Sequence, residues 1–301
     1  MRVLSLFDGM ACGLTALKRA GIKVEKYYAY ENDKYAIQVA MKNHPEIIQC
    51  GEVNFMTDFT QFLDVDLVIA GSPCQGFSYA GKRLNFTDER SQLFFEYVRA
   101  VKEIAPKYFM LENVKMKQEW QDIISSYLGV EPVLINSALV SAQNRNRLYW
   151  CNWKVEQPED KGIMLKDIIE HGVVDRDKSY CVDANYWKGG NLKQYFEKSR
   201  RQLVFKLGHI GNSDSQSSRV YSTEGKSVPL MGNAGGGGAK TGLYVMEDLI
   251  IRKLTPLECE RLQTLPENYT EGVSNTQRYR MLGNGWTVEV ISHIFKQMEV
   301  K

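Results

Sequence analysis

The sequence predicts an α/β protein built on a doubly wound, mostly parallel sheet, joined to a smaller and more irregular part. Three observations carry this. Apolar strand-like runs alternate with helical patterns through roughly the first 75 residues, as expected of βαβ units feeding a parallel sheet. The first run leads through a glycine-containing turn into a helix, which aims a helix N-terminus at a ligand. From about residue 160 the alternation stops and polar, glycine-rich stretches take over.

The elements follow in order. VLSLF (3–7) is an apolar strand, DGMACG (8–13) a turn that allows close backbone approach at Gly9 and Gly13, and LTALKRAG (14–21) a helix ending at glycine. VEKYYAYEN (24–32) is a second strand with Glu31 at its end. An acid roughly 20 residues past such a turn is placed for a ribose; it equally suits the N-terminus of the helix DKYAIQVAMKNH (33–44). IIQC (47–50) is a third strand, with Glu52 beyond it, and DVDLVIA (64–70) a fourth. Its continuous apolar run reads as buried on both faces.

GSPCQGFS (71–78) follows that fourth strand. Gly71 and Pro73 end the strand and fix a turn. The turn puts Cys74 at the carboxyl edge of the sheet, where open α/β sheets place their sites. A buried structural cysteine is the alternative. Residues 75–90 form a long polar connection, a length usually kept for function. SQLFFEYVRAVKEI (91–104) is an amphipathic helix with Ser91 near its cap, and KYFMLENV (107–114) a strand ending in Glu112 and Asn113. A carboxylate at the end of a buried strand needs a partner or a task. VEPVLINSALV (130–140) is another strand. In QNRNRLYW (143–150), Gln143, Arg145 and Arg147 alternate, so an extended chain would put all three on one face.

Composition adds bounds. The 301 residues carry 38 basic and 36 acidic side chains, a net charge of +2, so total charge alone does not mark a nucleic-acid binder. Six cysteines are spread without a CxxC pair, which resembles neither a zinc site nor a disulfide framework and suits a reducing cytosol. MRVLSLFDGM is not a signal peptide, and no apolar run is long enough for a bilayer.

FDGMACG, GSPCQGFS, ENV, QNRNR, TPLECERLQTLP (255–266) and GNGWTV (283–288), in that order, resemble the motif blocks of DNA (cytosine-5) methyltransferases. SLFDGMACG, QLFFEYVR and VSNTQRYRMLGNGWTV (273–288) are similar to the catalytic domain of the de novo class. The short specificity region and the TPLECERLQ block look more like bacterial or phage enzymes. The resemblance implies a Rossmann-like, S-adenosylmethionine-dependent methyltransferase fold with a target-recognition domain. It divides the chain into residues 1–170 and 282–301 for catalysis and the cofactor, and 171–281 for target recognition and hinge.

The chemistry agrees with the residues present. Carbon 5 of cytosine becomes nucleophilic when a thiolate adds at carbon 6, and Cys74 is the candidate nucleophile. Glu112 would meet ring N3 and the exocyclic amine, while Gln143, Arg145 and Arg147 would hold Glu112, the base carbonyl or a phosphate. The base must leave the duplex, so base flipping is implied. S-adenosylmethionine would lie on Phe7, Asp8, Gly9, Met10, Glu31, Asn32, Glu52, Val53, Pro73, Leu93, Asn284 and Trp286. The family often has Asp where this chain has Glu52. No nicotinamide and no metal is expected.

Duplex DNA is the implied partner, with Gln75, Ser78, Lys82 and Arg83 as contacts from the loop after Cys74. LKQYFEKSRRQLVFKLGHI (192–210) interleaves basic and aromatic residues, either as a face toward phosphates or as a solvated helix. SRVYSTEGKSVPLMGNAGGGGAKTGLYV (218–245) resembles a target-recognition segment, in which Arg219, Lys226, Asn233 and Lys240 have the chemistry to contact DNA. Pro229 stands where the family often has a phosphate-binding Thr. KLTPLECERLQTLPENYT (253–270) begins with a cap at Thr255, Pro256 and Glu258, and VEVISHIFKQM (288–298) is an amphipathic helix returning to the first domain. The resemblance is compatible with a cognate restriction endonuclease, with phage or epigenetic roles, and with a homodimer through VSNTQRYRMLG (273–283). A tRNA cytosine-5 methyltransferase sharing these motifs and a catalytically dead homologue are the alternatives; intact Cys74, Glu112 and Arg147 speak against the latter.

Overall fold

Seven strands form one sheet in the computed structural model, which describes residues 1–54, 56–71, 89–188, 192–206, 220–221, 243–244 and 250–299. In chain order the elements are β1 (Arg2–Leu6), α1 (Cys12–Arg19), β2 (Lys26–Tyr30), α2 (Lys34–Asn43), β3 (Ile48–Gly51), β4 (Leu67–Gly71), α3 (Glu89–Ile104), β5 (Tyr108–Val114), α4 (Gln118–Leu128), β6 (Pro132–Asn136) and β7 (Asn146–Cys151). Then come α5 (Leu192–Lys198), β8 (Leu203–Lys206), the two-residue strands β9 (Val220–Tyr221) and β10 (Leu243–Tyr244), β11 (Ile250–Lys253), α6 (Pro256–Leu262), α7 (Asn275–Asn284) and α8 (Val288–Lys296).

The sheet order is β3-β2-β1-β4-β5-β7-β6. β1 pairs in parallel with both β2 and β4, and β5 in parallel with β4. β7 runs antiparallel between β5 and β6. The chain therefore winds outward from β1 on one side, then returns and winds outward on the other. The β1/β4 boundary is the switch point where such folds open a crevice at the strands' carboxyl ends.

Both faces of the sheet are covered, because successive side chains alternate between them. Val3, Leu67, Ile69 and Met110 join the core that includes α1 and α8, through Leu14, Leu17, Ile291 and Phe295. Leu4, Leu6, Val68, Ala70 and Leu111 enter the core under α3 and α4, with Phe94, Tyr97 and Ile124. α8 carries Val288, Val290, Ile291, Ile294 and Phe295 as one buried set and packs on α1.

Local chemistry accounts for the boundaries. Asp33 caps α2, accepting from the Tyr35 N–H at 2.9 Å. Gly129 in the left-handed region ends α4. Thr255 and Glu258 form a capping box with Pro256 at the start of α6.

Two runs differ from their expected form. The run 130–140 is a strand only to Asn136, whose side chain accepts from the Ala138 N–H at 3.1 Å and starts a tight 3-10 turn. Within the run 192–210, residues 192–206 are α5 followed by β8; Tyr195 is fully buried and packs with Leu203 and Phe205, while Phe196 is exposed. α4 and α7 were not predicted as helices. Finally, the division at 281/282 cuts through α7. Tyr269 Oη donates to the Met10 carbonyl at 2.8 Å, Lys42 reaches the Glu271 carbonyl at 3.0 Å, and Gln38 the Gly272 carbonyl at 3.2 Å. These bonds tie residues 269–272 to α2 and to the turn at Met10.

Candidate active site

A cavity of about 530 Å³ opens at the carboxyl ends of β1, β2, β4 and β5. It is lined by Phe7, Asp8, Gly9, Met10, Glu31, Asn32, Glu52, Val53, Leu93, Glu112, Arg145, Arg147, Asn284 and Trp286, all named from the sequence. The structure thus brings the candidate catalytic residues Glu112, Arg145 and Arg147 and the candidate cofactor residues together in one cavity.

One end is acidic and rests on an unusual turn. Phe7, Gly9 and Ala11 all have positive φ, at 59°, 61° and 63°, which for a non-glycine residue needs support from its surroundings. Glu31 supplies some of it. Its Oε2 accepts from the Gly9 N–H at 2.7 Å, and its Oε1 accepts from the Asn32 and Asp33 N–H groups at 2.9 and 2.8 Å. Asp8 Oδ1 accepts from Tyr27 Oη at 2.6 Å, while Asp8 Oδ2 is buried without a partner. Burial pushes the Asp8 carboxyl up to about 6, and neighbouring Glu31 adds to the shift. Glu52 accepts from Asn32 Nδ2 at 2.8 Å.

The other end centres on Glu112, the fifth residue of β5 and 7% exposed. Arg147 Nε lies 3.0 Å from Glu112 Oε1, and Trp286 Nε1 donates to Oε2 at 3.0 Å. Both carboxylate oxygens are therefore held, which fixes the plane of the group. β7 pairs with β5 in the register that sets Val114 opposite Arg147. Gly71 is needed beside this cluster: a Cβ there would lie 2.8 Å from Trp286 Nε1.

The two arginines divide the work. Arg147 pairs with Glu112. Arg145, buried, donates to the Val182 carbonyl at 3.1 Å and to the Gly283 and Gly285 carbonyls at 3.1 and 2.8 Å. It fastens the 181–182 segment to the turn between α7 and α8. Gln143 is not brought to the cavity. It is fully buried, donates to the Leu262 carbonyl at 2.7 Å and to Gln263 Oε1 at 3.1 Å, and accepts from the Val182 N–H. Gln143 pairs with Ser179 in an isolated parallel bridge ahead of β7, which starts at Asn146, so Gln143, Arg145 and Arg147 do not share one continuous strand whose alternation would put them on one face.

Pro73, Cys74, Gln75, Ser78, Lys82, Arg83, Arg219, Lys226, Asn233 and Lys240 lie outside the described residues. The sequence reading missed Cys181, Asp183 and Arg280, which also line the cavity. Cys181 Sγ is 3.1 Å from Arg145 Nη1 and 4.0 Å from Arg147 Nη2. Burial alone would raise its thiol, but the two guanidinium groups outweigh burial and hold it below its usual value. Arg280 stood inside the 273–288 segment that carried the resemblance; Cys181 had no local signal.

Comparison with solved structures places this fold. The Entamoeba histolytica methyltransferase EhMeth superposes with a TM-score of 0.72 at 15% identity, covering 99% of this chain and 97% of that one. Spodoptera frugiperda DNMT2 gives 0.68 at 21% identity, covering 98% of each. With its cavity at the switch point, the chain has the Rossmann-like fold of S-adenosylmethionine-dependent methyltransferases. Residues 1–300 match the family model of C-5 cytosine-specific DNA methylases. Type II methyltransferase M.HhaI of Haemophilus parahaemolyticus is 30% identical over 320 residues, 98% of this chain and 93% of its own length. Orphan methyltransferase M.SPRI of Bacillus phage SPR is 27% identical over 99% of this chain and 97% of its own. The chain belongs to the C-5 cytosine-specific DNA methylase family and is a DNA cytosine-5 methyltransferase, with DNA as its substrate and S-adenosylmethionine-dependent chemistry.

Proposed function

We propose that the chain methylates cytosine at a specific duplex site through a covalent adduct on Cys74, with the base flipped into the Glu112 end of the cavity. The observation that carries this reading is the Glu112–Arg147–Trp286 cluster beside Gly71, three residues before Cys74. Cys74 adds as thiolate to carbon 6, an addition that electropositive surroundings favour. Glu112, fixed by its two partners, meets ring N3 and the exocyclic amine as charge develops on the ring. Once carbon 5 carries the methyl group, water takes its proton, the 5,6 double bond re-forms and Cys74 leaves as thiolate.

The acidic end fits S-adenosylmethionine. The unpartnered Asp8 Oδ2, the Glu31 carboxylate and Glu52 offer acceptors to hydroxyl, amine and cationic groups, and Phe7, Val53 and Leu93 offer apolar contact. When bound, the cofactor supplies the methyl group. Phe7, Asp8, Gly9, Met10, Glu31, Asn32, Glu52, Val53, Pro73, Leu93, Asn284 and Trp286 would hold it. DNA contacts are assigned to Gln75, Ser78, Lys82, Arg83, Arg219, Lys226, Asn233 and Lys240. A homodimer through 273–283, a cognate restriction endonuclease and action in the cytoplasm of a bacterial or phage-infected cell are compatible with this reading.

The test uses labelled S-adenosylmethionine with duplex DNA or tRNA. Label should enter DNA, and Cys74→Ser should lose nearly all turnover while still binding DNA. Label in tRNA alone would overturn the assignment of the substrate; a fully active Cys74→Ser would remove Cys74 as nucleophile.

A further inference from the structure

A line of buried polar groups runs from the protein surface to the strained turn at residues 7–11. Lys18 Nζ lies 2.9 Å from His44 Nδ1, and His44 Nε2 lies 2.9 Å from Thr15 Oγ1. Thr15 Oγ1 lies 3.1 Å from Tyr269 Oη, and Tyr269 Oη donates to the Met10 carbonyl at 2.8 Å. His44, Thr15, Tyr269 and Met10 are each less than a tenth exposed. Sequence reading gave none of the four side chains before Met10 a task.

The direction of the line follows from its outer end. An ammonium group has donors only, so His44 Nδ1 must accept. The neutral ring then carries its proton on Nε2 and donates to Thr15. Thr15 has one proton to give, to Tyr269 or to the Ala11 carbonyl at 3.1 Å. Tyr269 is left with its own proton for Met10. Burial, with the Lys18 charge, lowers His44 to about 4 and keeps it neutral at physiological pH, despite Glu46 nearby.

We propose that Tyr269 is a positioning residue for the cofactor, clamping the Met10 carbonyl and aimed by the directed relay Lys18–His44–Thr15. The proposal rests on residues 7–11 being the cofactor turn. The turn holds Phe7 and Ala11 at positive φ, a backbone that persists only where its surroundings over-determine it. Glu31 fixes the turn at Gly9 from the β2 side, and Tyr269 fixes it at Met10 from the segment after α6. Tyr269 thereby couples the C-terminal segment to the cofactor turn without touching the cavity, since it is absent from the lining.

Titration calorimetry with S-adenosylmethionine tests this on the full chain. Tyr269→Phe keeps the ring and removes the clamp; affinity should fall roughly five- to tenfold, while kcat at saturating cofactor stays within about twofold. Thr15→Val should weaken binding similarly, and the double variant should bind no more weakly than the worse single one, because one relay is being cut twice. Unchanged affinity in Tyr269→Phe, additive losses, or a kcat that falls in step with affinity would overturn the proposal. Failure of the unmodified chain to bind S-adenosylmethionine would instead overturn the cofactor reading on which it rests.

Discussion

Asp8 carries a stability cost in the folded chain. Its carboxyl is held by Tyr27 on one oxygen and left without a partner on the other. Its folded pKa, about 6, lies above the ordinary 3.8. A raised pKa means that the stabilising contribution is full below the unfolded value and is lost as pH rises through 6. Asp8→Asn should therefore be more stable than the native chain at pH 8, by on the order of 3 kcal/mol, and the gain should vanish below about pH 4. Urea titrations at both pH values measure it, and a gain independent of pH would contradict the assignment. The same variant should bind S-adenosylmethionine more weakly. Cys181 gives a second check. Of the described cysteines, Cys12, Cys50, Cys151 and Cys259 have thiols raised by burial, and Cys181 alone is lowered. Iodoacetamide at pH 7 with peptide mapping should label Cys181 first among these five. Asp8 was singled out through the resemblance that FDGMACG carries. The separate tasks of Arg145 and Arg147 were not legible, because two arginines two positions apart look alike until their partners, Glu112 and the 283–285 carbonyls, are placed in space.

At the scale of elements, local chemistry was the more legible part. Thr255, Pro256 and Glu258 announced the start of α6, and the capping box is there. What the sequence could not show is that Glu258 is fully buried and serves distant groups. It accepts from Arg252 Nη2 and Nη1 at 2.7 and 2.8 Å, and from the Glu170 N–H at 2.7 Å. One carboxylate thus ties β11 and the 170 region to α6. Glu258→Ala would leave Arg252 facing an empty buried site and should cost on the order of 3–5 kcal/mol. Thr255→Ala should cost about 1 kcal/mol, the ordinary loss of a cap. Equal losses from the two in denaturant unfolding would mean that Glu258 acts only as a cap. α7 escaped prediction because NTQRYRMLGN has few apolar positions to set a helical period. Its burial comes from tertiary approach, most closely at Gly283, where a Cβ would lie 2.2 Å from the Ala184 nitrogen.

Across the whole molecule, the cavity joins the two ends of the chain. Its lining runs from Phe7, just after β1, to Trp286, just before α8, and α8 packs back on α1. The alternating apolar runs announced the parallel part of the sheet; the antiparallel insertion of β7 is a pairing between distant segments that periodicity does not encode. A ligand in this cavity contacts groups that come together only in the folded chain, so it stabilises folding by mass action. At a cofactor concentration 100-fold above Kd the gain is about 2.7 kcal/mol. For a unit of this size that corresponds to a rise in Tm of roughly 5–10 °C. Calorimetric scans with and without S-adenosylhomocysteine should show it. Deleting residues 288–301 should abolish both the shift and cooperative unfolding, because it removes Val288, Val290, Ile291, Ile294 and Phe295 from the core that α1 shares. A truncated chain that still unfolded cooperatively and responded to the ligand would show that the C-terminal helix is dispensable, and that the first half of the sheet holds the cofactor turn by itself.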